Sequence, residues 1–461
     1  MAFSHDPSGP QPAFGTGLLL TDLYQLNMLQ AYLEAGMTET AVFEFFVRKL
    51  PPGRNFLMAA GLETVVDFLE RAAFTAAELE WLRESDRFSK AFVDHLEGFR
   101  FTGELRALRE GTICFPDEPL LRLTAPLPEA QLLETRIINL LHFQTVIASK
   151  AARMVLAAPG KTLVDFGLRR AHGAEAGLLA ARASYLAGFS GSATTPAARL
   201  YGIPVYGTMA HSFIQAHDDE EAAFESFARA RPEAVVLLLD TYDTLAAART
   251  VIRLAPRLAQ RGISVRGVRL DSGDLAEEAR AVRRLLDRAG LGRIQIFASG
   301  GLDETLLARY QAEAVPIDGY GIGTSLTTAS DAPALDCAYK LQAYAGQPKR
   351  KVSTGKATWP GRKQVFRHYG RDAVMAGDIL TCDGDRQGGE ALVSPVMRAG
   401  TRIAPLPGLE EARAHAAAEL RRLPPALRSL APAPAYPVEV SPALRRLAEE
   451  ADRARREAGG A

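Results

Sequence analysis

Short apolar runs alternate with helical patterns along the middle of the chain, at a spacing of roughly thirty residues. The segments between the runs repeat their apolar residues every three or four positions, which predicts amphipathic helices. Six runs have the length of buried strands: residues 162–168, 203–209, 234–240, 265–271, 293–299 and 317–323. This alternation predicts a parallel sheet with outer helices, and periodicity alone leaves both a closed barrel and an open sheet available.

The chain before this region has a different pattern. Residues 21–36 predict an amphipathic helix, and residues 41–50 alternate like a strand that ends at a Pro-Pro-Gly turn. Four segments are therefore predicted: a disordered N-terminus (1–15), an N-terminal α+β domain (16–130), an α/β barrel with the active site (131–340) and a C-terminal segment that packs back on the N-terminal domain (341–461).

Composition narrows the class of protein. Lys plus Arg and Asp plus Glu both total 54, so the chain has no net charge that would favour nucleic acid or an anionic membrane as partner. Three widely spaced cysteines form neither a disulfide framework nor a zinc cluster. No apolar run has the length of a membrane span or a signal peptide, so we expect a cytoplasmic protein.

Chemically capable residues follow the C-terminal end of every predicted strand. They are Arg169, Arg170 and His172; Thr208 and His211; Asp240 and Thr241; Arg269, Asp271 and Asp274; Ser299, Gly300 and Gly301; and Gly321, Gly323, Thr324 and Ser325. Successive strand ends converge on one face when strands close into a ring, whereas an open sheet concentrates them at one switch point. The pattern therefore favours an irregular barrel, since eight clean units are not found.

The last two strand ends carry glycine-rich loops, at residues 299–301 and 321–325. Glycine lets backbone N–H groups approach phosphate oxygens, and the loops after the last strands of a barrel are its usual phosphate site. Two adjacent loops of this kind predict phosphate binding, against the alternative of a pair of tight turns.

Two other strand ends carry side chains that could bind a flat anionic substrate or a metal cation. The guanidinium of Arg269 could hold a carboxylate, and Asp271 and Asp274 could hold Mg²⁺ or ribose hydroxyls, although helix capping is the alternative for these acids. Capping is the favoured interpretation of the pair Asp240 and Thr241. The ring of Phe166 could stack on a flat substrate, with Arg169 and Arg170 beside it.

His211 and His217 are six residues apart, which places them on different helix faces and argues against a shared zinc ion. His211 follows a strand end, where an imidazole could act as a base or accept a phosphoryl group, or could simply be a hydrogen-bonded histidine. No lysine occurs from residue 162 to residue 339, which excludes a Schiff-base lysine at these strand ends.

Several long motifs occur in one order along the chain: TDLYQLNM, FEFFVRKLPPGRNFLMAAGLE, VDFGLRRAHG, YGTMAHSF, VRLDSGDL, SGGLDE and GYGIGTSL. Together they resemble the nicotinate phosphoribosyltransferase family, over roughly residues 18 to 345. The resemblance implies an irregular, TIM-like α/β barrel of the type II phosphoribosyltransferase kind. It also implies synthesis of nicotinate mononucleotide and pyrophosphate from nicotinate and phosphoribosyl pyrophosphate, coupled to ATP hydrolysis with Mg²⁺.

The resemblance assigns roles to Tyr24, Thr208, His211, Arg269 and Thr324, and the remaining roles rest on strand-end position and on side-chain or glycine chemistry. His211 is similar to the histidine that ATP phosphorylates, and Arg269 and Asp271 are expected to share in catalysis. Nicotinate is expected to contact Phe166, Arg169, Thr208 and Arg269, and to be covered by Tyr24 from the neighbouring subunit of a homodimer. Phosphoribosyl pyrophosphate is expected to contact Ser299, Gly300, Gly301, Gly321, Gly323 and Thr324, with Asp271 and Asp274 as candidate metal ligands.

Three other functions compete. A nicotinamide phosphoribosyltransferase looks to carry an aspartate where the similar stretch here, GFSGSATT, has Ser192 and no acid, which favours the acid substrate. A quinolinate phosphoribosyltransferase would need a more cationic pocket and a shorter chain. A non-catalytic nucleotide-sensing barrel would have no use for a phosphorylatable histidine.

Overall fold

A computed structural model describes residues 17–353 and 355–459. The predicted N-terminal segment 1–15 lies outside the described residues. The described residues divide into two compact units, one formed by those up to residue 145, those within 334–427 and those from 432 onward, and the other by residues 146–333 and 428–431. None of the helices in the described ranges is long and apolar enough to cross a membrane.

The described residues contain nineteen strands and sixteen α-helices. The strands are β1 (Thr40–Val47), β2 (Leu57–Met58), β3 (Glu104–Ala107), β4 (Ile113–Cys114), β5 (Pro119–Pro126), β6 (Thr162–Asp165), β7 (Gly191–Ser192), β8 (Val235–Leu238), β9 (Val265–Leu270), β10 (Gln295–Ser299), β11 (Gly319–Ile322), β12 (Cys337–Tyr344), β13 (Gln347–Pro348), β14 (Lys363–Tyr369), β15 (Met375–Cys382), β16 (Glu390–Ala391), β17 (Ser394–Arg398), β18 (Thr401–Arg402) and β19 (Val438–Val440). The helices are α1 (Leu23–Glu34), α2 (Leu62–Glu70), α3 (Ala76–Glu84), α4 (Lys90–Glu97), α5 (Leu127–Leu132), α6 (Glu134–Ala157), α7 (Ala174–Ala187), α8 (Thr195–Tyr201), α9 (His211–Gln215), α10 (Glu220–Ala230), α11 (Thr244–Ala259), α12 (Leu275–Arg288), α13 (Glu304–Ala312), α14 (Thr324–Thr327), α15 (Leu409–Arg422) and α16 (Pro442–Gly459).

The first unit is built on a seven-stranded sheet in the order β13-β12-β1-β5-β3-β17-β18. Strand β1 lies inside this sheet, and every residue after Thr40 is buried, as its run of Phe and Val requires. The ring of Phe43 stacks on that of Tyr339 at 4.9 Å. A second sheet, in the order β16-β14-β15-β19, completes this α+β unit.

The second unit contains six parallel strands in the order β7-β6-β11-β10-β9-β8. Helices α7 and α10 to α13 connect or follow these strands, so all strands point the same way and their C-terminal ends share one edge. The sheet curls into a half-barrel, which confirms the predicted irregular α/β barrel class.

The prediction of a strand at 203–209 is wrong. This segment makes a single bridge, between Val205 and Ser192, and the second strand of the unit is the short β7 instead. Pro204 has no N–H to donate to a ladder, and Val205 is 50% exposed, so the run cannot form a buried central strand.

Candidate active site

One cavity of about 730 Å³ opens among the strands of the second unit. Phe166, Thr208, Arg269 and Gly321 line it, four residues that the sequence assigns to substrate binding. The volume lies in the range of small-molecule sites and exceeds what a single pyridine ring needs. The cavity therefore has room for more than one chemical group.

Arg269 is the buried cation of this cavity. Its side chain is 13% exposed; Nη2 donates to the carbonyl of Met209 at 2.8 Å and Nη1 to Oγ of Ser299 at 3.3 Å. Its buried Nε has no hydrogen-bond partner among the described residues. Burial lowers the pKa of Arg269, while the carboxylates of Asp271 and Asp240 oppose that shift. A desolvated guanidinium with an unused donor is suited to an anionic ligand.

Asp271 stands between Arg269 and His211. Its Oδ1 lies 3.5 Å from Nη1 of Arg269 and accepts a hydrogen bond from the hydroxyl of Ser299, and its Oδ2 lies 3.8 Å from Nε2 of His211. The other ring nitrogen of His211 lies 3.1 Å from Oγ1 of Thr241. The imidazole is 38% exposed at the start of α9, so it can be reached from solvent.

His217 has a different environment from His211. Its Nδ1 contacts the carbonyl of Phe213 at 2.7 Å, and its ring packs against the ring of the same residue. Among the described residues no group of three or more His, Cys, Asp or Glu side chains is arranged to hold a metal ion.

The interpretation of Asp240 as a helix cap is wrong. Helix α11 is capped by Asp243, whose side chain accepts the N–H of Ala246. Asp240 instead accepts the N–H of Asp271 at 3.1 Å and the hydroxyl of Ser272, and its buried Oδ1 has no partner among the described residues. Its position after a strand was the sequence signal, but its partners lie just after the neighbouring strand β9.

Of the two candidate metal ligands, Asp274 is engaged elsewhere. Its Oδ1 caps α12 by accepting the N–H groups of Ala276 and Glu277, both at 3.1 Å. Oδ2 of Asp240 accepts the backbone N–H of Asp271, so the two acids are neighbours just after adjacent strands. Carboxylate oxygens suit Mg²⁺, which commonly uses one or two carboxylates together with substrate phosphates.

The glycines of the two predicted phosphate loops differ in environment. Gly300 has φ +94°, and a Cβ there would meet the carbonyl of Asp271 at 2.2 Å, so only glycine fits. Gly300 and Gly301 are exposed in the loop before α13. Gly321 is buried inside β11 with its Cα against the ring of Phe166. Gly323 directly precedes α14, which begins at the exposed Thr324.

Phe166 and Arg169, which both follow β6, occupy different positions. Phe166 lines the cavity, and its N–H donates to the carbonyl of Ile322 at 2.8 Å. Arg169 lies exposed in a 3₁₀ turn at residues 168–170, and its positive charge contributes to the lowered pKa of Arg269.

Ser192 does not face the cavity. Its side chain is fully buried and donates to Oδ2 of Asp165 at 2.7 Å, while Oδ1 of the same aspartate accepts the N–H of Gly167. Burial raises the pKa of Asp165. The residues of this stretch that line the cavity are Ala193 and Thr195, neither of which is acidic.

Tyr24 belongs to the first unit, on α1. Its side chain is 47% exposed, and Leu20 and Leu23 beside it are also exposed. An aromatic and two aliphatic side chains at the start of one helix form an exposed apolar group within this unit.

Three family models match the chain: the nicotinate phosphoribosyltransferase N-terminal domain at residues 19–142, the nicotinate phosphoribosyltransferase family at 161–357 and the nicotinate phosphoribosyltransferase C-terminal domain at 387–448. Nicotinate phosphoribosyltransferase pncB2 of Mycobacterium tuberculosis is 54% identical, over 92% of each chain. Nicotinate phosphoribosyltransferase of Bacillus subtilis is 41% identical over 76% of this chain and 72% of the relative.

A solved structure is similar as well. The crystal structure of human nicotinic acid phosphoribosyltransferase superposes with a TM-score of 0.84 at 32% identity, covering 94% of this chain and 99% of that one. Sequence and fold thus agree along nearly the whole chain, and this chain belongs to the nicotinate phosphoribosyltransferase family.

Proposed function

We propose that this chain forms nicotinate mononucleotide and pyrophosphate from nicotinate and phosphoribosyl pyrophosphate, in NAD salvage in the cytoplasm. The observation that carries the proposal is Arg269, a buried guanidinium with an unused donor in the same cavity as the ring of Phe166. A flat aromatic anion matches this combination, because its carboxylate pairs with the guanidinium and its ring stacks on the phenyl face.

The proposed reaction needs little proton transfer by the protein. The pyridine nitrogen forms a bond to C1 of the ribose, the bond from C1 to the pyrophosphate oxygen breaks, and pyrophosphate leaves with the electron pair. Positioning and charge stabilisation are then the main contributions of the site. The exposed Gly300-Gly301 loop and the N-terminus of α13 behind it supply backbone N–H groups suited to phosphate oxygens.

His211 is the proposed link to ATP. A ring nitrogen attacks the γ-phosphorus, the bond to the ADP oxygen breaks, and water later releases the phosphoryl group as phosphate. The exposure of the imidazole at the start of α9 and its contacts with Thr241 and Asp271 support this role. Mg²⁺, held by Asp271 and Asp240, would neutralise phosphate charge when bound.

A product assay tests the reaction and the coupling together. Purified protein is incubated with phosphoribosyl pyrophosphate, Mg²⁺ and either nicotinate or nicotinamide, with and without ATP, beside the variant His211→Ala. We expect nicotinate mononucleotide from nicotinate, with stimulation by ATP in the wild type alone. Product from nicotinamide would overturn the substrate assignment, and equal stimulation of His211→Ala would overturn the phosphohistidine.

The proposed assembly is a homodimer in which Tyr24 covers nicotinate bound by the partner subunit. The exposed apolar group formed by Leu20, Leu23 and Tyr24 supports an interface at the start of α1. Subunit mixing tests it: Tyr24→Ala and His211→Ala homodimers are expected to be impaired in ATP-stimulated turnover, and their mixture should regain part of it. A mixture that matches the mean of its components would argue against a shared site.

A further inference from the structure

Helix α6 carries a buried lysine that the reaction does not use. The side chain of Lys150 is 2% exposed, and its Nζ lies 2.5 Å from Oε2 of Glu304 and 2.7 Å from Oδ1 of Asp331. Arg153, one turn along the helix, places its Nε 3.2 Å from the other oxygen of Glu304. A buried ammonium is costly unless it is paired, and here two carboxylates pair with it.

The two acids follow different glycine loops at the same edge of the sheet. Glu304 is the first residue of α13 and directly follows the glycine loop at residues 299–303. Asp331 lies in the turn that closes the short segment beginning at Gly323, a turn held by the N–H of Ser330 on the carbonyl of Ser325 at 3.2 Å. One ammonium group therefore connects the structures behind both glycine loops.

A second link joins the loops directly. The hydroxyl of Ser325 donates to the carbonyl of Leu302, so the backbone of one loop is fastened to the side chain of the other. With Lys150 behind and Ser325 between them, the two loops have a fixed separation. Side chains locked in this way hold a site more accurately than loop backbone alone does.

We propose that Lys150 is a positioning residue for phosphoribosyl pyrophosphate, which sets the distance between the two glycine loops. The inference rests on the proposed function, in which the loops bind the phosphate groups of one substrate. Because such a substrate must contact both loops at once, a change in their separation weakens its binding, while nicotinate, which is held by Arg269 and Phe166, is unaffected.

The informative variant is Asp331→Asn. Asp331 is 32% exposed, so an amide is tolerated there, and the buried pair of Lys150 and Glu304 stays intact. We expect the KM for phosphoribosyl pyrophosphate to rise about tenfold, with the KM for nicotinate within about twofold of the wild type. Lys150→Arg, which keeps the charge and can still bridge both acids, should restore most of the affinity relative to Lys150→Met.

Two controls separate this role from simple stabilisation. Asp287→Asn makes the same chemical change in an ion pair on α12, with Arg283 at 2.8 Å, and should leave both KM values unchanged. Thermal unfolding identifies any variant that fails to fold, a needed check for Lys150→Met, which removes a buried cation from beside two carboxylates.

The outcomes are distinct. Wild-type protein that makes no nicotinate mononucleotide would overturn the proposed function itself. Active wild type with an unchanged KM for phosphoribosyl pyrophosphate in Asp331→Asn, or with both KM values raised equally, would overturn the positioning role alone.

Discussion

Asp240, just after β8, holds the backbone of Asp271, just after β9. Oδ2 of Asp240 accepts the N–H of Asp271 at 3.1 Å and the hydroxyl of Ser272. The side chain of Asp271 is thereby held between the guanidinium of Arg269 and the imidazole of His211. The carboxylate of Asp240 thus fixes the backbone from which the carboxylate of Asp271 projects.

Replacing Asp240 by alanine should impair phosphorylation of His211. The variant loses the acceptor for two hydrogen bonds and with it the anchored backbone of Asp271, whose side chain lies beside His211, so we expect transfer from γ-labelled ATP to fall at least about tenfold. Asp243→Ala is the matched control, because Asp243 caps α11 by accepting the N–H of Ala246, and its loss should cost about 1 kcal/mol of stability with little effect on labelling. Equal labelling of the two variants would show that Asp240 is not needed.

Gly321→Ala should act on nicotinate through Phe166. A Cβ at this position would stand 2.4 Å from the phenyl ring, so the ring must move. We expect the KM for nicotinate to rise about tenfold, with a smaller change in the KM for phosphoribosyl pyrophosphate. Gly292→Ala, where the nearest atom would be 3.4 Å away, is the control. A selective rise in the KM for phosphoribosyl pyrophosphate would instead support the phosphate contact predicted from the sequence.

The strands of the second unit were predictable where their apolar runs are buried. The runs at 234–240 and 265–271 contain β8 and β9, because Val and Leu favour a strand covered on both faces. The run at 203–209 resembles them in composition but contains Pro204, and the true strand β7 is only two residues long, too short to produce a periodic signal.

The contacts within the candidate site were less predictable than its location. Strand ends indicated where polar residues gather, but the partners of Asp240 lie just after β9, and that of Ser192 is Asp165 on β6. Such pairings depend on the order of strands in the sheet and on the direction of each side chain, and neither is encoded in local sequence spacing. The same holds for Lys150, whose partners lie more than 150 residues away.

Ala193→Asp should weaken nicotinate binding. Ala193 lines the cavity that contains Arg269, so a carboxylate there would repel the carboxylate of nicotinate and compete for the guanidinium. We expect kcat/KM for nicotinate to fall at least about tenfold, while that for nicotinamide, which has no charge, falls less. Ser192→Ala is the control for specificity, since Ser192 is turned to Asp165. A larger loss of specificity in Ser192→Ala would contradict this assignment.

The stability of the first unit should depend on His415 below neutral pH. Burial lowers the pKa of His415 to about 4, assisted by the nearby charges of Arg109 and Arg422, and its Nε2 lies 3.0 Å from Oγ1 of Thr112. The unfolded chain binds a proton at the usual pKa of about 6.5, so it binds more protons than the folded chain between those values. The folded state is therefore favoured above about pH 6.5 and loses stability as pH falls toward 4. At pH 5 the loss is roughly 1–2 kcal/mol.

His415→Gln cannot take up this proton and keeps a polar partner for Thr112. Denaturant unfolding should therefore show a smaller drop in the free energy of unfolding between pH 7.5 and pH 5 for this variant than for the wild type. An equal drop in both proteins would show that His415 does not contribute.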